Sequence, residues 1–179
     1  MSMKSVEVEI SSISPLLMHA YPLVEVIALE KKSMEEQAEL AAYRNPDNKK
    51  LYIPAECFQR ALVSAATFSK GKGRGKSTLQ KPVAACVMVE PERLDLGVKE
   101  YKIDSRPVVI KAIQGRIIRH RPRLDSWKVK MRVSWDDTLL EERELRKVFD
   151  DCGERVVVLD FRPERKGPFG RFAVSLWKS

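Results

Sequence analysis

The chain has 179 residues, with 33 lysines and arginines against 25 aspartates and glutamates, which gives a formal net charge of +8. This length suits one domain, and the hydrophobic content of 44% excludes a wholly disordered chain. A sequence pI near 9.5 favours a polyanionic partner. We therefore expect residues 1–179 to form a single domain.

Other classes of protein are disfavoured by the pattern of residues. Cys57, Cys86 and Cys152 are far apart and lack the short spacings of zinc sites, so we expect reduced thiols and no metal or other cofactor. Residues 1–10 lack the apolar run of a signal peptide, and no stretch of 18 apolar residues suits a membrane span. We expect a cytoplasmic protein with no membrane partner.

The first half of the chain predicts a strand and two helices. Residues 6–10 alternate apolar and acidic side chains, which predicts a strand with one buried face. Residues 30–43 predict an exposed helix inside an insertion that spans residues 14–53. Pro54 then opens a second helix, which has an apolar stripe and ends at the glycine-rich residues 70–76.

The second half predicts three more strands and a helix. The apolar run Val83–Val89 predicts a buried central strand, and residues 90–126 predict an extended insertion with hairpin character. Residues 127–135 alternate apolar and basic side chains and predict a clear strand. A helix follows, and residues 156–159 and 172–176 predict a short strand and a final strand.

Two features mark the ends of that helix. Thr138 and Glu141 fit a capping box at its start, and Gly153 suits its C-terminal end.

Without the insertions and the short piece at 156–159, the core order is β–α–β–β–α–β. This order predicts an α+β fold of the ferredoxin-like (RRM-like) type, an antiparallel sheet with two helices on one face.

The first of three basic clusters lies in the glycine-rich loop and consists of Lys70, Lys72, Arg74 and Lys76. Glycines would let this loop wrap around phosphates, and a solvated flexible loop is the alternative. Gly75-Lys76-Ser77 resembles the end of a P-loop. That motif requires a glycine at position 70, where this chain has lysine, and a preceding strand, where the sequence predicts a helix.

The second cluster lies in the 90–126 insertion and consists of Lys111, Arg116, Arg119, His120, Arg121 and Arg123. Pro122 excludes a regular helix across it. Cations this close repel by roughly 1 kcal/mol per exposed pair, and a bound polyanion would relieve that repulsion. The segment is therefore a candidate for phosphate contacts.

The third cluster surrounds a glycine-rich turn and consists of Arg162, Arg165, Lys166, Gly167, Phe169, Gly170 and Arg171. Phe169 offers a ring on which a base could stack, and the alternative is that its ring packs into the core beneath a tight turn.

The sheet itself is a weaker candidate for nucleic-acid binding. Glu7 and Glu9 would pair with lysines and an arginine of the neighbouring strand, and the open face lacks paired aromatics.

The C-terminal sequence RKGPFGRFAVSLW (residues 165–177) and Ser14-Pro15-Leu16-Leu17-Met18-His19 after the first strand carry a family resemblance. The chain resembles the RAMP superfamily of CRISPR-associated proteins and, within it, Cas7-type subunits. Those subunits have a glycine-rich loop beside the last strand and a thumb where this chain has residues 90–126. The resemblance implies an RNA-binding subunit that lines up along a guide RNA as a homo-oligomer or filament, with other CRISPR subunits as further partners.

By this resemblance Arg116, Arg119, Arg121 and Arg123 would lie in or near the thumb, and residues 167–171 would form the glycine-rich loop. Some family members cut target RNA with an aspartate in the loop after the first strand. No aspartate occurs between Ile10 and Asp47, so this chain departs from that pattern.

Three alternatives to a non-catalytic RNA-binding subunit stay open. A metal-free, Cas6-like ribonuclease would use His19 or His120 as a general base. A single-stranded DNA-binding protein of a mobile element would use the same backbone cations, and a protein-interaction domain would carry its charge incidentally. The paired carboxylates at 136–137 and 150–151 flank one helix, and capping and solvation explain them better than a two-metal site.

Overall fold

The computed structural model describes residues 2–21, 25–71, 75, 77–110, 114–160, 162–163 and 166–179. Within them the chain is a mixed α+β structure with antiparallel sheets. The helices are α1 (Val26–Glu30), α2 (Met34–Leu40), α3 (Ala55–Ala65), α4 (Gln80–Cys86) and α5 (Glu142–Asp151). The strands are β1 (Met3–Ser12), β2 (Leu16–Leu17), β3 (Tyr52–Pro54), β4 (Met88–Glu90), β5 (Arg93–Asp95), β6 (Lys102–Ile110), β7 (Gly115–Leu124), β8 (Lys128–Asp136) and β9 (Phe172–Lys178).

The largest sheet has the strand order β4-β8-β1-β9, and each neighbouring pair is antiparallel. Its register places Glu7 opposite Arg132 and Glu9 opposite Lys130. The Lys130 ammonium lies 3.5 Å from the Glu9 carboxylate. Opposite charges on this face therefore lie beside one another across the strands, as the alternating sequence predicts.

One core joins this sheet to α3 and α5. Val6, Val8 and Ile10 are buried because alternate residues of a strand share a face. The ring of Phe58 in α3 lies 5.7 Å from that of Phe149 in α5 and 5.6 Å from that of Phe172 in β9. Burying each ring contributes roughly 1.5–3 kcal/mol, so these contacts fix the helices against the sheet.

The apolar run Val83–Val89 is not a central strand. Its first part belongs to α4, and β4 begins only at Met88, on the edge of the sheet. Ala84 and Ala85 favour helix, and Pro82 lies in the first turn, where proline is tolerated. Run length and valine content therefore gave the wrong secondary structure for most of this segment.

Residues 30–43 form less helix than predicted, because α1 ends at Glu30 and α2 begins only at Met34. Ser33 separates them. Its hydroxyl accepts a hydrogen bond from the backbone N–H of Glu36, whose carboxylate accepts one from the Ser33 backbone. This capping box starts a new helix inside the predicted one.

The start of α5 also differs from the prediction. The capping box is formed by Glu141 and Glu144, one turn later than the predicted pair. The Thr138 hydroxyl instead donates to the Asp136 carboxylate at 2.7 Å and shapes the turn after β8. Gly153 lies in a π-helical turn, where a Cβ atom would overlap the carbonyl oxygen of Phe172. Glycine is required at this position because the Phe172 backbone lies so close, and not because the residue caps a helix.

The predicted strand at residues 156–159 is absent. The π-helical turn covers Cys152–Val156, and Val157 and Leu159 then adopt φ values of 60° and 63°. Left-handed φ values are uncommon for such side chains, and both are nearly fully buried. Packing therefore holds this turn in a strained conformation that delivers Asp160 to the neighbouring β7.

A second sheet has the order β2-β7-β6, and β3 pairs with β5. Within the predicted insertion at residues 90–126, β6 and β7 pair as an antiparallel hairpin from Lys102 opposite Arg123 to Ile110 opposite Gly115. Helix α2 packs against β7 and β6. In the described part of the chain, no helix is long and apolar enough to cross a bilayer.

Candidate nucleic-acid interface

The β6–β7 hairpin collects basic side chains on one of its faces. Arg106 lies opposite Arg119, Asp104 opposite Arg121, and Lys102 opposite Arg123. Cross-strand partners and alternate residues share a face, so these six side chains form one surface, here called the arginine face. Arg116 and His120 belong to the opposite face, where the Ser105 hydroxyl lies 2.6 Å from His120 Nδ1. The second predicted cluster is thus split between two faces.

The third predicted cluster meets the arginine face through Phe169. Its ring is 6% exposed and lies beneath the guanidinium groups of Arg106 and Arg123, whose Cζ atoms are 4.8 and 5.3 Å from the ring centroid. The buried Asp104 carboxylate accepts hydrogen bonds from both arginines, at 2.6 Å from Arg106 Nε and 3.5 Å from Arg123 Nη1. Phe169 therefore anchors the C-terminal loop and presents no open ring to a base.

Gly170 fixes how this loop approaches the rest of the fold. Its φ is +79°, and a Cβ atom would overlap the carbonyl oxygen of Val158. The following Arg171 donates its backbone N–H to the Ser14 hydroxyl and its guanidinium to the Glu154 carbonyl. Lys166 and Gly167 belong to the turn before Phe169. Arg165 lies outside the described residues.

Arg121 differs from the expectation of an open phosphate contact. Its side chain is 6% exposed and is paired with the carboxylate of Asp160. The same carboxylate lies 3.2 Å from His19 Nδ1. Arg121 therefore ties β7 to the turn after α5 and to the segment after β2.

Arg119 is an incompletely satisfied cation of the arginine face, as is Arg121, whose buried Nε atom also has no hydrogen-bond partner among the described residues. Burial lowers the pKa of its guanidinium, Glu30 acts in the opposite direction, and the charge of Arg121 lowers the pKa further. Its Nη1 atom is buried and has no hydrogen-bond partner. An arginine stays protonated in proteins, so Arg119 is a cation with unused donor capacity.

A groove runs along α3 beside these residues. One cavity of about 420 Å³ is lined by the α3 residues Cys57, Arg60, Ala61 and Ser64 and by His19, Tyr43, Leu159, Asp160 and Arg162. The α3 positions recur every three to four residues, so one side of the helix forms the wall. A second cavity of about 290 Å³ shares Ser64 and extends past Phe68, Arg155 and Pro163.

The groove is positively charged and reaches the arginine face. Arg60, Arg162 and Arg155 line it, and the Arg155 guanidinium lies over the Phe68 ring at 5.5 Å. Asp160, the partner of Arg121, also lines it. Sequence reasoning missed Arg60, Arg155 and Arg106. The helical spacing of residues 57, 60 and 64 and the alternation of residues 102, 104 and 106 were the signals available.

The first predicted cluster is described only in part. Lys72, Arg74 and Lys76 lie outside the described residues, as does Lys111 of the second cluster. Lys70 is exposed and bridges to Thr78, which closes the base of the loop. The preceding Ser69 donates to the Asp151 carboxylate at 2.7 Å, so the loop is anchored to the end of α5.

The paired carboxylates on either side of α5 are engaged locally. Asp136 accepts hydrogen bonds from Thr138, and Asp137 pairs with Lys4 at 2.9 Å. Asp150 and Asp151 pair with Arg146 and Lys147. Within the described ranges, no group of three or more histidine, cysteine or acidic side chains is placed to hold a metal ion.

No family model matches the sequence, and no curated protein matches it. A solved structure does match: a chain of the type III-B Cmr-beta bound to cognate target RNA, determined by cryo-EM. The TM-score is 0.60 at 10% sequence identity. The two chains share a fold. The match covers 98% of this chain and 60% of the other, so this chain spans less than two thirds of that protein's length.

Proposed function

We propose that this chain is an RNA-binding subunit of the RAMP type that binds the phosphate backbone. One observation carries the proposal: the arginine-lined groove along α3 also contains Asp160, which pairs with Arg121 of the arginine face. Three arginines line the groove, and Arg119 on the adjoining face has unused donors. Phosphate contacts supply most of the sequence-independent affinity for nucleic acid.

The fold supports the same proposal. The strand order β4-β8-β1-β9, with α3 between β1 and β4 and α5 between β8 and β9, supports the proposal of a ferredoxin-like unit. The chain with the same fold in Cmr-beta belongs to a complex bound to target RNA. Together with the motifs at residues 14–19 and 165–177, this favours a Cas7-like subunit that assembles with further copies along a guide RNA.

The groove and not the sheet is the proposed binding surface. Glu7, Glu9, Lys130 and Arg132 lie opposite one another in pairs on the open sheet face, so little net charge is available there. The proposed contacts are Arg60, Arg155 and Arg162 in the groove, Arg119 and Arg123 on the arginine face and, as the sequence predicts, Lys70, Arg116, Lys166 and Arg171.

Binding of a 30-nucleotide unstructured RNA at several salt concentrations tests the proposal. For single strands, log K should fall against log salt with a slope of about −0.7 per phosphate contact. Arg60→Glu and Arg162→Glu should each weaken binding and flatten the slope by about one contact. Arg143→Glu is the matched control, because Arg143 is an exposed arginine of α5 outside the groove.

Equal affinity of both groove variants and the control would contradict the proposal. Single-stranded DNA of the same sequence should be included as a competitor, because backbone cations do not sense the 2′-hydroxyl. Stronger binding of DNA would favour the DNA-binding alternative. Light scattering on lengthening RNAs measures assembly, and a stepwise rise in bound copies with RNA length is the expected result.

A further inference from the structure

Phe68 presents an exposed aromatic ring just beyond the C-terminal end of α3. It closes the 3₁₀ turn Ala66–Phe68, and both Ala66 and the following Ser69 are buried. Phe68 itself is 55% exposed, whereas every other phenylalanine in the described part of the chain is buried. A single exposed ring is common on protein surfaces, so the groups around Phe68 decide whether it has a function.

One buried carboxylate, that of Asp151, holds both this ring and a cation in place. The Arg155 guanidinium lies over the Phe68 ring, with its Cζ atom 5.5 Å from the ring centroid. Arg155 Nε donates to one oxygen of Asp151 at 3.2 Å, and the hydroxyl of Ser69 donates to the other oxygen at 2.7 Å. The ring and the guanidinium are therefore positioned before any ligand arrives, which lowers the entropic cost of binding.

The Phe68 ring lines the second cavity of the groove, which has a volume of about 290 Å³. Val156 and Pro163 add apolar surface, and Gln80, which is exposed at the start of α4, adds a side-chain amide. This volume lies near the lower end of the range for small-ligand pockets and suits a single base. The cavity thus combines a ring for stacking, a cation, and an amide that carries both donors and an acceptor.

We infer that this second cavity binds one unpaired base of the RNA, stacked on Phe68, and that it selects adenine. The inference rests on the proposed RNA binding, because the groove must hold the backbone for a base to enter the cavity. The two cavities share Ser64, and Arg60 lies about 6 Å before Ser64 along α3. A strand whose phosphates contact Arg60 and Arg162 therefore passes beside the second cavity and can turn one base into it.

Stacking supplies affinity in this site, and the Gln80 amide supplies selectivity. Any base can stack on a phenylalanine ring, and the larger purines cover more of it. Adenine exposes an amino donor, N6, beside a ring acceptor, N7, and a glutamine amide matches them with two hydrogen bonds. Guanine exposes two acceptors on the same edge, so one of them would face the amide oxygen. RNA with adenine at the bound position should therefore bind more tightly than RNA with any other base there.

Competition between four uridine octamers that differ only in one central base measures this preference. The purified chain should bind the octamer with a central adenine about fivefold more tightly than the all-uridine octamer. Gln80→Ala should bring the affinities for central adenine and central guanine to within about twofold of each other, because the ring remains and the amide is lost. Equal affinity of the wild type for all four octamers would overturn the selection of adenine.

Two substitutions of Phe68 separate stacking from apolar bulk, because Phe68→Leu removes the ring and Phe68→Tyr keeps it. Affinity for the adenine octamer should fall about 10-fold in Phe68→Leu and no more than about twofold in Phe68→Tyr. The salt slope should stay that of the wild type in both variants, since stacking releases no counterions, whereas Arg60→Glu flattens it. Met88→Ala is the matched control, because Met88 is 54% exposed on β4 and lines neither cavity, and its affinity should equal that of the wild type.

Ultraviolet crosslinking locates the bound base directly. After digestion with trypsin, the crosslinked adenine should lie on the peptide of residues 61–70, which contains Phe68. Salt-dependent RNA binding with undiminished affinity in Phe68→Leu would overturn the inference and leave the proposed function intact. Absence of RNA binding by the wild type would remove both. A crosslink on this peptide, together with an affinity lost in Phe68→Leu and kept in Phe68→Tyr, would establish the base site.

Discussion

The guanidinium group of Arg121 is paired with the carboxylate of Asp160, although the two residues lie 39 positions apart in the chain. The pair joins the middle of β7 to the strained turn after α5. It also shows why a basic cluster in the sequence overstates the charge available to a ligand, because the fold itself uses one of the central cations.

Replacing Arg121 with methionine should destabilise the fold. Removing one partner of a buried pair leaves the other charge uncompensated, which typically costs about 3–5 kcal/mol. Asp160 is partly exposed and also contacts His19, so we expect about 2–3 kcal/mol in urea denaturation. Arg116→Met is the control, because Arg116 is exposed, and should change stability by no more than about 0.5 kcal/mol. Equal stability of the two variants would refute a structural role for Arg121.

Phe169→Ala should unfold the C-terminal loop from the arginine face. Truncating a buried phenylalanine typically costs about 3–5 kcal/mol, and two guanidinium contacts are lost as well. Phe68→Ala is the matched control, since Phe68 is 55% exposed and its ring lies beneath the guanidinium of Arg155. We expect the control to lose less than about 1 kcal/mol in the same denaturation experiment. A loss as small for Phe169 would mean that its ring does not anchor the loop.

Gly170→Ala and Gly97→Ala separate backbone conformation from close packing. Both glycines have positive φ, at 79° and 73°, but a Cβ atom on Gly97 has nothing within 4 Å. Gly97→Ala is the control, and its free energy of unfolding should fall by about 1–2 kcal/mol because of the left-handed conformation alone. Gly170→Ala should lose a further 1–3 kcal/mol, roughly the cost of overpacking against the Val158 carbonyl. Thermal denaturation measures the difference, and equal losses would show that the loop yields without strain.

The strands with strict alternation were predictable from sequence, and the groove was not. Residues 6–10 and 127–135 reveal β1 and β8 because a two-residue period leaves one buried face. Residues 83–89 have no period, and length and valine content then favoured a strand where alanines and an early proline make a helix. Local patterns with two interpretations are decided by packing, which a single sequence does not contain.

The same limit applies to the site. The glycine-rich turn and the arginines of β7 were visible as residue types, but their division between two faces depends on strand register. The pairing of Arg121 with Asp160 and the burial of Phe169 depend on contacts made across the fold. Arg60 and Arg155 were overlooked because neither lies in a basic cluster. The groove forms only where α3 meets Leu159, Asp160, Arg162 and Pro163.

Part of the free energy of unfolding should depend on pH through the Glu39 carboxyl group. A hydrogen bond from Arg44 lowers the pKa of this carboxyl, burial opposes this, and the Tyr101 hydroxyl lowers the pKa further by donating to it at 2.9 Å. A carboxyl whose pKa is lower in the folded state stabilises the fold fully above its unfolded pKa, near 4.5. That contribution is lost as the pH falls through the lower, folded value.

The wild type should therefore exceed Glu39→Gln in stability at pH 7, and the difference should shrink as the pH drops below 4.5. Urea denaturation at several pH values checks this, with Glu35→Gln as the control on the same helix. A difference that stays constant down to pH 2 would show that charge at Glu39 does not stabilise the packing of α2 beside Arg44 and Tyr101.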